Sequence, residues 1–202
     1  MPDAAPSTAP DARDDPAGGY NPRPMRTIAD FLDFYRRQRS WTRALVAAVP
    51  EEHFDWRPSE SSFSCGELVR HLMLSERFWR KMVLEVLEGR SFDPFGIPGD
   101  GRQRMAAFRA PNLQSAGAAG NLGATFAECL ERWLPIQAQT EEELGRITPE
   151  QLDIPVEHPL LALRLPLWES LLTLVGHEVH HRGQLSAYLK MIGVEQPASL
   201  AV

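Results

Sequence analysis

The run PLWESLLTLVGHEVHHRGQLSAYLKMIG, residues 166–193, decides how this chain folds. Leu167, Leu171, Leu174, Val175, Val179, Leu185, Tyr188, Leu189 and Ile192 recur at three- and four-residue spacings, the period of a helix that buries one side. Pro166 suits a first helical turn, and Gly193 suits a stop. Within the run stands His177-Glu178-Val179-His180-His181, a literal H-E-x-x-H string. The string raises a choice between a peptidase and a different kind of metal site.

Working outward, three more segments carry the same period. The first runs from about Thr27 to Val49, with Ile28, Phe31, Leu32, Tyr35, Trp41, Leu45 and Val49 on a broad apolar face, and Pro50 ends it. The second opens at Ser64, where Ser64 and Glu67 have the spacing of a capping box, and continues to about Glu88 before Gly89. The third runs from about Ala118 to Arg146 through Leu122, Phe126, Leu130, Trp133, Leu134 and Leu144, with Pro135 expected to kink it. Residues 89–117 read as a long surface crossover, and 147–165 as a loop with a brief extended pair around Leu160 to Leu165. Four long amphipathic helices with irregular crossovers predict an all-α four-helix bundle.

The chain has 202 residues, 43% hydrophobic and 8% aromatic, enough for one core of ordinary size. Residues 1–24 are rich in Pro, Ala, Asp and Gly and are expected to form a disordered tail, leaving 25–202 as the bundle domain. A net charge of -6 argues against nucleic acid or an anionic membrane as the main partner, since phosphate binding needs clustered Lys and Arg. Two cysteines, no CxxC pair, no signal-peptide pattern and no apolar run of membrane-spanning length predict a soluble, reduced, cytoplasmic protein.

Residues four apart on a helix differ by about 40° in direction and about 6 Å in height, so His177 and His181 can address one point. His180 is geometrically able to do so as well. A histidine alone on a helix usually caps, packs or faces water; three within five residues of an apolar helix call for another explanation. A peptidase site needs a third ligand, whose usual sources lie downstream. Here Gln184 and Ala187 stand where the extended H-E-x-x-H-x-x-G-x-x-H form has Gly and His, and only 21 residues follow His181. The peptidase reading therefore stays a minor alternative. The better third ligand is upstream. His71 lies seven residues beyond the Ser64 cap, between Leu68 and Leu72, and it faces His177 and His181 if the second and fourth helices are neighbours. Such a site leaves coordination positions open.

Two stretches carry a resemblance. One is DWRPSESSFSCGELVRHLMLSE, residues 55–76, and the other HEVHHRGQLSAYLKMIG, residues 177–193. In them the chain resembles the DinB/YfiT-like superfamily of metal-binding four-helix bundles, over roughly residues 26–193. The resemblance implies a divalent metal, commonly zinc or nickel, on His71, His177 and His181, often in a homodimer. It also implies chemistry on a small-molecule substrate, with relatives that transfer or isomerise using a low-molecular-weight thiol. A cation held by three imidazoles acidifies bound water or a bound thiol, and softness favours the thiol on zinc. The function expected is thus a metal-dependent thiol transferase or hydrolase acting on a small electrophile. The rival is a non-catalytic metal-binding stress or interaction protein.

The remaining candidates have plainer readings beside them. Glu178 could serve as a base, but an ion pair with Arg182 four residues on is its ordinary role. Arg182 could orient an anionic substrate, with an ion pair as its default. Gly183 is expected to permit close helix packing, and Gln184 to hold a hydrogen bond behind a ligand. Cys65 in a first helical turn could be a reactive thiol, though a small residue after a cap is the simpler account, and Cys129 reads as core. Trp56, Trp79, Trp133 and Trp168 read as packing anchors, Trp168 also as a pocket wall. His53 and His158 fall in loops.

Overall fold

The structure, a computed structural model, describes residues 27–90, 122–157 and 164–197. Four long helices carry it: α1, Ile28–Ala47; α2, Cys65–Leu87; α3, Phe126–Leu144; and α4, Leu167–Met191. Short 3₁₀ turns at Glu51–His53 and Pro149–Asp153 and a two-stranded ribbon complete the order. The all-α four-helix bundle expected from the periodicity is what forms. No helix among the described residues is long and apolar enough to cross a membrane.

Local chemistry sets the helix ends. Thr27 and Ser64 each make a full capping box, the latter with Glu67 N–H donating to Ser64 Oγ at 3.1 Å and Ser64 N–H to Glu67 Oε2 at 2.8 Å. The third helix starts at Phe126 rather than near Ala118, because Thr125 caps it and Glu51 reaches over from the first 3₁₀ turn. The Glu51 carboxylate accepts the Phe126 and Ala127 N–H groups at 2.9 and 3.0 Å, two of the orphan donors of that terminus. Pro135 lies inside α3, where its missing N–H removes the hydrogen bond back to the Glu131 carbonyl. Gly89 and Gly193, at φ 72° and 73°, close α2 and α4. In both the following residue donates back to the last turn, Arg90 to Glu85 and Val194 to Leu189. Pro166 stands just ahead of α4 rather than in its first turn.

The extended pair is shifted from its expected place. Strand β1, Pro155–Glu157, runs antiparallel to β2, Arg164–Pro166, with Val156 opposite Leu165. Residues 158–163 between them, like the expected 1–24 tail and all but the start of the 89–117 crossover, lie outside the described residues.

Both α1 and α2 pack against α3 and α4. Going round the bundle the order is α1, α3, α2, α4, which makes α2 and α4 neighbours. The interior is divided. One apolar layer holds Leu45, Leu68, Leu72, Phe126, Trp133, Leu185 and Leu189. The other holds Phe31, Tyr35, Trp79, Met82, Leu144, Leu167 and Leu171. Between them every helix contributes buried polar side chains: Gln38, Arg39 and Thr42 from α1, His71, Ser75 and Glu76 from α2, Gln137 and Thr140 from α3, Glu178 and His181 from α4. Val179 and Leu134, read above as interior positions, are 41% and 45% exposed. Among the described residues, nothing lies within 4 Å of the place where a Gly183 Cβ would stand, so the close helix packing expected of it is not seen there.

Candidate metal centre

Three imidazoles meet in the polar layer. His71 comes from the second turn of α2; His177 and His181 come from adjacent turns of α4. Nε2 of His177 is 3.2 Å from Nε2 of His71 and 3.0 Å from Nε2 of His181. One ligand atom from each residue lies within 4.8 Å of the others. Metal–nitrogen bonds of about 2.0–2.1 Å put neighbouring nitrogens about 2.9 Å apart in an octahedron and about 3.3 Å apart in a tetrahedron. Both the 3.2 and the 3.0 Å separations lie in or near the range that a shared divalent ion sets. His71 and His181 are buried and His177 is half-buried.

Tautomer and orientation are held from behind. Nδ1 of His181 is 2.7 Å from Oε1 of Gln184, one turn along α4. The amide oxygen only accepts, so Nδ1 carries the proton and Nε2 keeps its lone pair toward the centre. Phe63 stacks on the His71 ring with centroids 5.2 Å apart and meets His181 edge-on at 6.2 Å. Beyond it, Trp56 and Tyr188 make an edge-to-face pair at 5.5 Å. The three rings lie on the side of the site facing the loop before α2. His180 is exposed, with its ring 5.0 Å from that of His181, and among the described residues it is not one of the converging set.

Next to the histidines lies a buried ionic cluster. Arg39 NH2 is 3.0 Å from Glu76 Oε2 and 3.2 Å from Glu178 Oε2. Glu76 also accepts from Trp133 Nε1 at 2.6 Å and from the Tyr35 hydroxyl. Thr42 donates to Glu178. The Arg39 guanidinium lies over the rings of Tyr35 and Trp133 at 5.1 and 4.7 Å. Burial raises the Glu178 carboxyl above the ordinary range, against the opposing pull of Arg39 and Thr42. The expected Glu178–Arg182 ion pair is replaced. Glu178 points toward α1 and pairs with Arg39, while Arg182 donates to the Gln38 backbone and side-chain oxygens at 3.0 and 2.7 Å and lies over Trp41.

Periodicity could have revealed part of this cluster. Arg39 falls between Tyr35 and Thr42, and Glu76 between Leu72 and Trp79, each on an otherwise buried stripe. Phe63 stands just before the Ser64 cap, where an apolar residue folds back on its helix. Ser75 lies on the same stripe, three residues after Leu72 and four after His71. Cys65 and Cys129 are buried, and burial pushes both thiols up to about 11, which removes Cys65 as a reactive thiol. Trp168 is partly buried and packs against the apolar layer that holds Phe31 and Leu171. His53 lies in the first 3₁₀ turn, and His158 is outside the described residues.

Known proteins bear on this geometry. The sequence model of the DinB superfamily matches residues 8–185. The uncharacterised protein YjoA of Bacillus subtilis is 24% identical over 163 residues, 80% of this chain and 88% of its own length. Its crystal structure superposes with a TM-score of 0.55 at 21% identity, covering 83% of this chain and 94% of YjoA. A DinB-like protein of Bacillus cereus gives 0.61 at 15% identity, covering 86% and 98%. YfiT of Bacillus subtilis, described as "a probable metal-dependent hydrolase with an unusual four-helix bundle topology", gives 0.62 at 16% identity, covering 89% and 97%.

Proposed function

The chain belongs to the DinB superfamily, and from that premise we propose that it is a metal-dependent enzyme of small-molecule chemistry. His71, His177 and His181 would hold a divalent cation, zinc or nickel as the family resemblance implies, both of which imidazole donors suit. The observation that carries this reading is the approach of Nε2 atoms from two separate helices to 3.2 and 3.0 Å. A cation bound there supplies Lewis acidity, which makes water or a low-molecular-weight thiol a usable nucleophile near neutral pH.

The protein's own groups supply the rest. Gln184 keeps the His181 proton on Nδ1. Phe63 covers the His71 ring. Arg39 ties Glu76 of α2 to Glu178 of α4, which holds the two ligand-bearing helices at a set spacing. Glu178 is engaged with Arg39 and Thr42, and this supports an upstream ligand set over a peptidase arrangement with Glu178 as base. The substrate class is a small electrophile attacked by thiol or water; the family likeness to YfiT keeps hydrolysis beside thiol transfer.

Metal analysis of the purified protein tests the ligand set. Wild type is expected to carry close to one equivalent, and His71→Ala and His177→Ala to lose most of it. Full metal retention in the His71 variant would refute the assignment. Metal-dependent consumption of a thiol with a model electrophile, against hydrolysis of an activated ester, then separates the two reactions.

A further inference from the structure

Ser75 stands one helical turn beyond His71 on α2 and is 2% exposed. Among the described residues its Oγ makes one hydrogen bond, 3.4 Å to Nε2 of His71. Hydroxyls inside helices commonly turn back to the carbonyl four residues earlier. Thr140 and Thr173 do so here, to Ile136 and Glu169. Ser75 instead reaches the same nitrogen that His177 Nε2 approaches at 3.2 Å, so its oxygen borders the centre where the imidazoles meet.

We infer that Ser75 orients the small ligand completing the proposed metal site, with its hydroxyl donating to a thiolate or an equivalent anionic donor there. The inference rests on the metal-site reading above. One lone pair on Nε2 can accept from Ser75 or bind a cation, not both. Cation binding therefore ends the bond to Nε2 and leaves a hydroxyl buried from solvent to turn to another acceptor, the His71 carbonyl or a ligand beside the metal. A buried hydroxyl without a partner is costly. Of these acceptors an anionic ligand beside His71 is favoured, because a hydrogen bond to a charged acceptor is among the stronger ones. Two effects of opposite kind follow. Ser75 competes with the cation for His71, and it strengthens the hold on an anionic ligand.

The test uses full-length wild type, Ser75→Ala and Ser75→Thr loaded with cobalt(II) and titrated with 2-mercaptoethanol at one fixed pH, followed by the cobalt–thiolate charge-transfer absorption. The thiol binds as thiolate, its proton passing to the buffer. Ser75→Ala is expected to hold cobalt at least as tightly as wild type while its thiol affinity falls about ten-fold. Ser75→Thr, which keeps a hydroxyl, is expected to recover much of that loss; should its methyl prevent folding, the alanine comparison still decides. Equal thiol affinity in wild type and Ser75→Ala overturns the inference and leaves the metal site standing. A parallel loss of cobalt and thiol binding also overturns it, by making Ser75 merely structural. Failure of wild type to take up cobalt overturns the inference and the metal-site reading together.

Discussion

At His181 the two ring nitrogens have separate tasks. Nδ1 donates to Gln184 at 2.7 Å, and Nε2 faces His177 at 3.0 Å. An imidazole in water favours neither orientation strongly, so the amide oxygen selects both tautomer and ring angle. Replacing such a partner typically lowers metal affinity 10–100-fold. Gln184→Leu, with similar bulk and no acceptor, is expected to lose affinity in that range by competition with a chromophoric chelator. Gln184→Glu, which still accepts from Nδ1, is expected to stay near wild type. Equal affinities in wild type and the leucine variant would show that His181 needs no support from behind.

Among the elements, α2 and α4 carry the ligands, and α1 joins them through a single buried cation. Arg39 is 3% exposed and serves two carboxylates. Breaking a buried pair by removing one partner typically costs about 3–5 kcal/mol, because the remaining charge keeps its desolvation penalty. Arg39→Leu removes the cation that pairs with both Glu76 and Glu178 and is expected to cost about 3 kcal/mol in urea unfolding. Arg146–Glu142, with side chains 70% and 68% exposed, is the control; Arg146→Ala is expected to leave the midpoint unchanged. Similar midpoints for both variants would mean that the cluster contributes little to holding the helices.

For the whole molecule, the division of the interior into two apolar layers and a polar one makes its stability sensitive to alkali. Burial pushes Cys65 and Cys129 up to about 11 and raises Tyr35 well above its usual range. In each case the folded state holds a proton that the unfolded chain releases at lower pH, so the folded state binds more protons between the two pKa values. Stability is then complete below about pH 8.5, the free thiol value, and declines as pH rises toward 11. Urea midpoints at pH 8 and pH 10.5 are expected to fall in that order, and both thiols to resist a disulfide reagent at pH 8 until the protein unfolds. A midpoint that rises with alkali would contradict the burial of these groups.

The four helices, the Ser64 capping box, the glycine stops and the i,i+4 placing of His177 and His181 were legible from residue order. Periodicity, caps and i,i+4 spacing are properties of neighbours along one chain, and they survive without tertiary contacts. The neighbourhood of α2 and α4 was expected only conditionally, and the tertiary structure supplied it. Glu178 shows the limit most clearly. Its sequence neighbour Arg182 offered an ordinary ion pair, yet burial beside α1 gave it Arg39, and Arg182 turned to Gln38. Ser75 lost its water in the same way, by what packed against α2. Desolvation makes the difference: which charge or hydroxyl must find a partner depends on which groups lose water together, and only the packed bundle decides that.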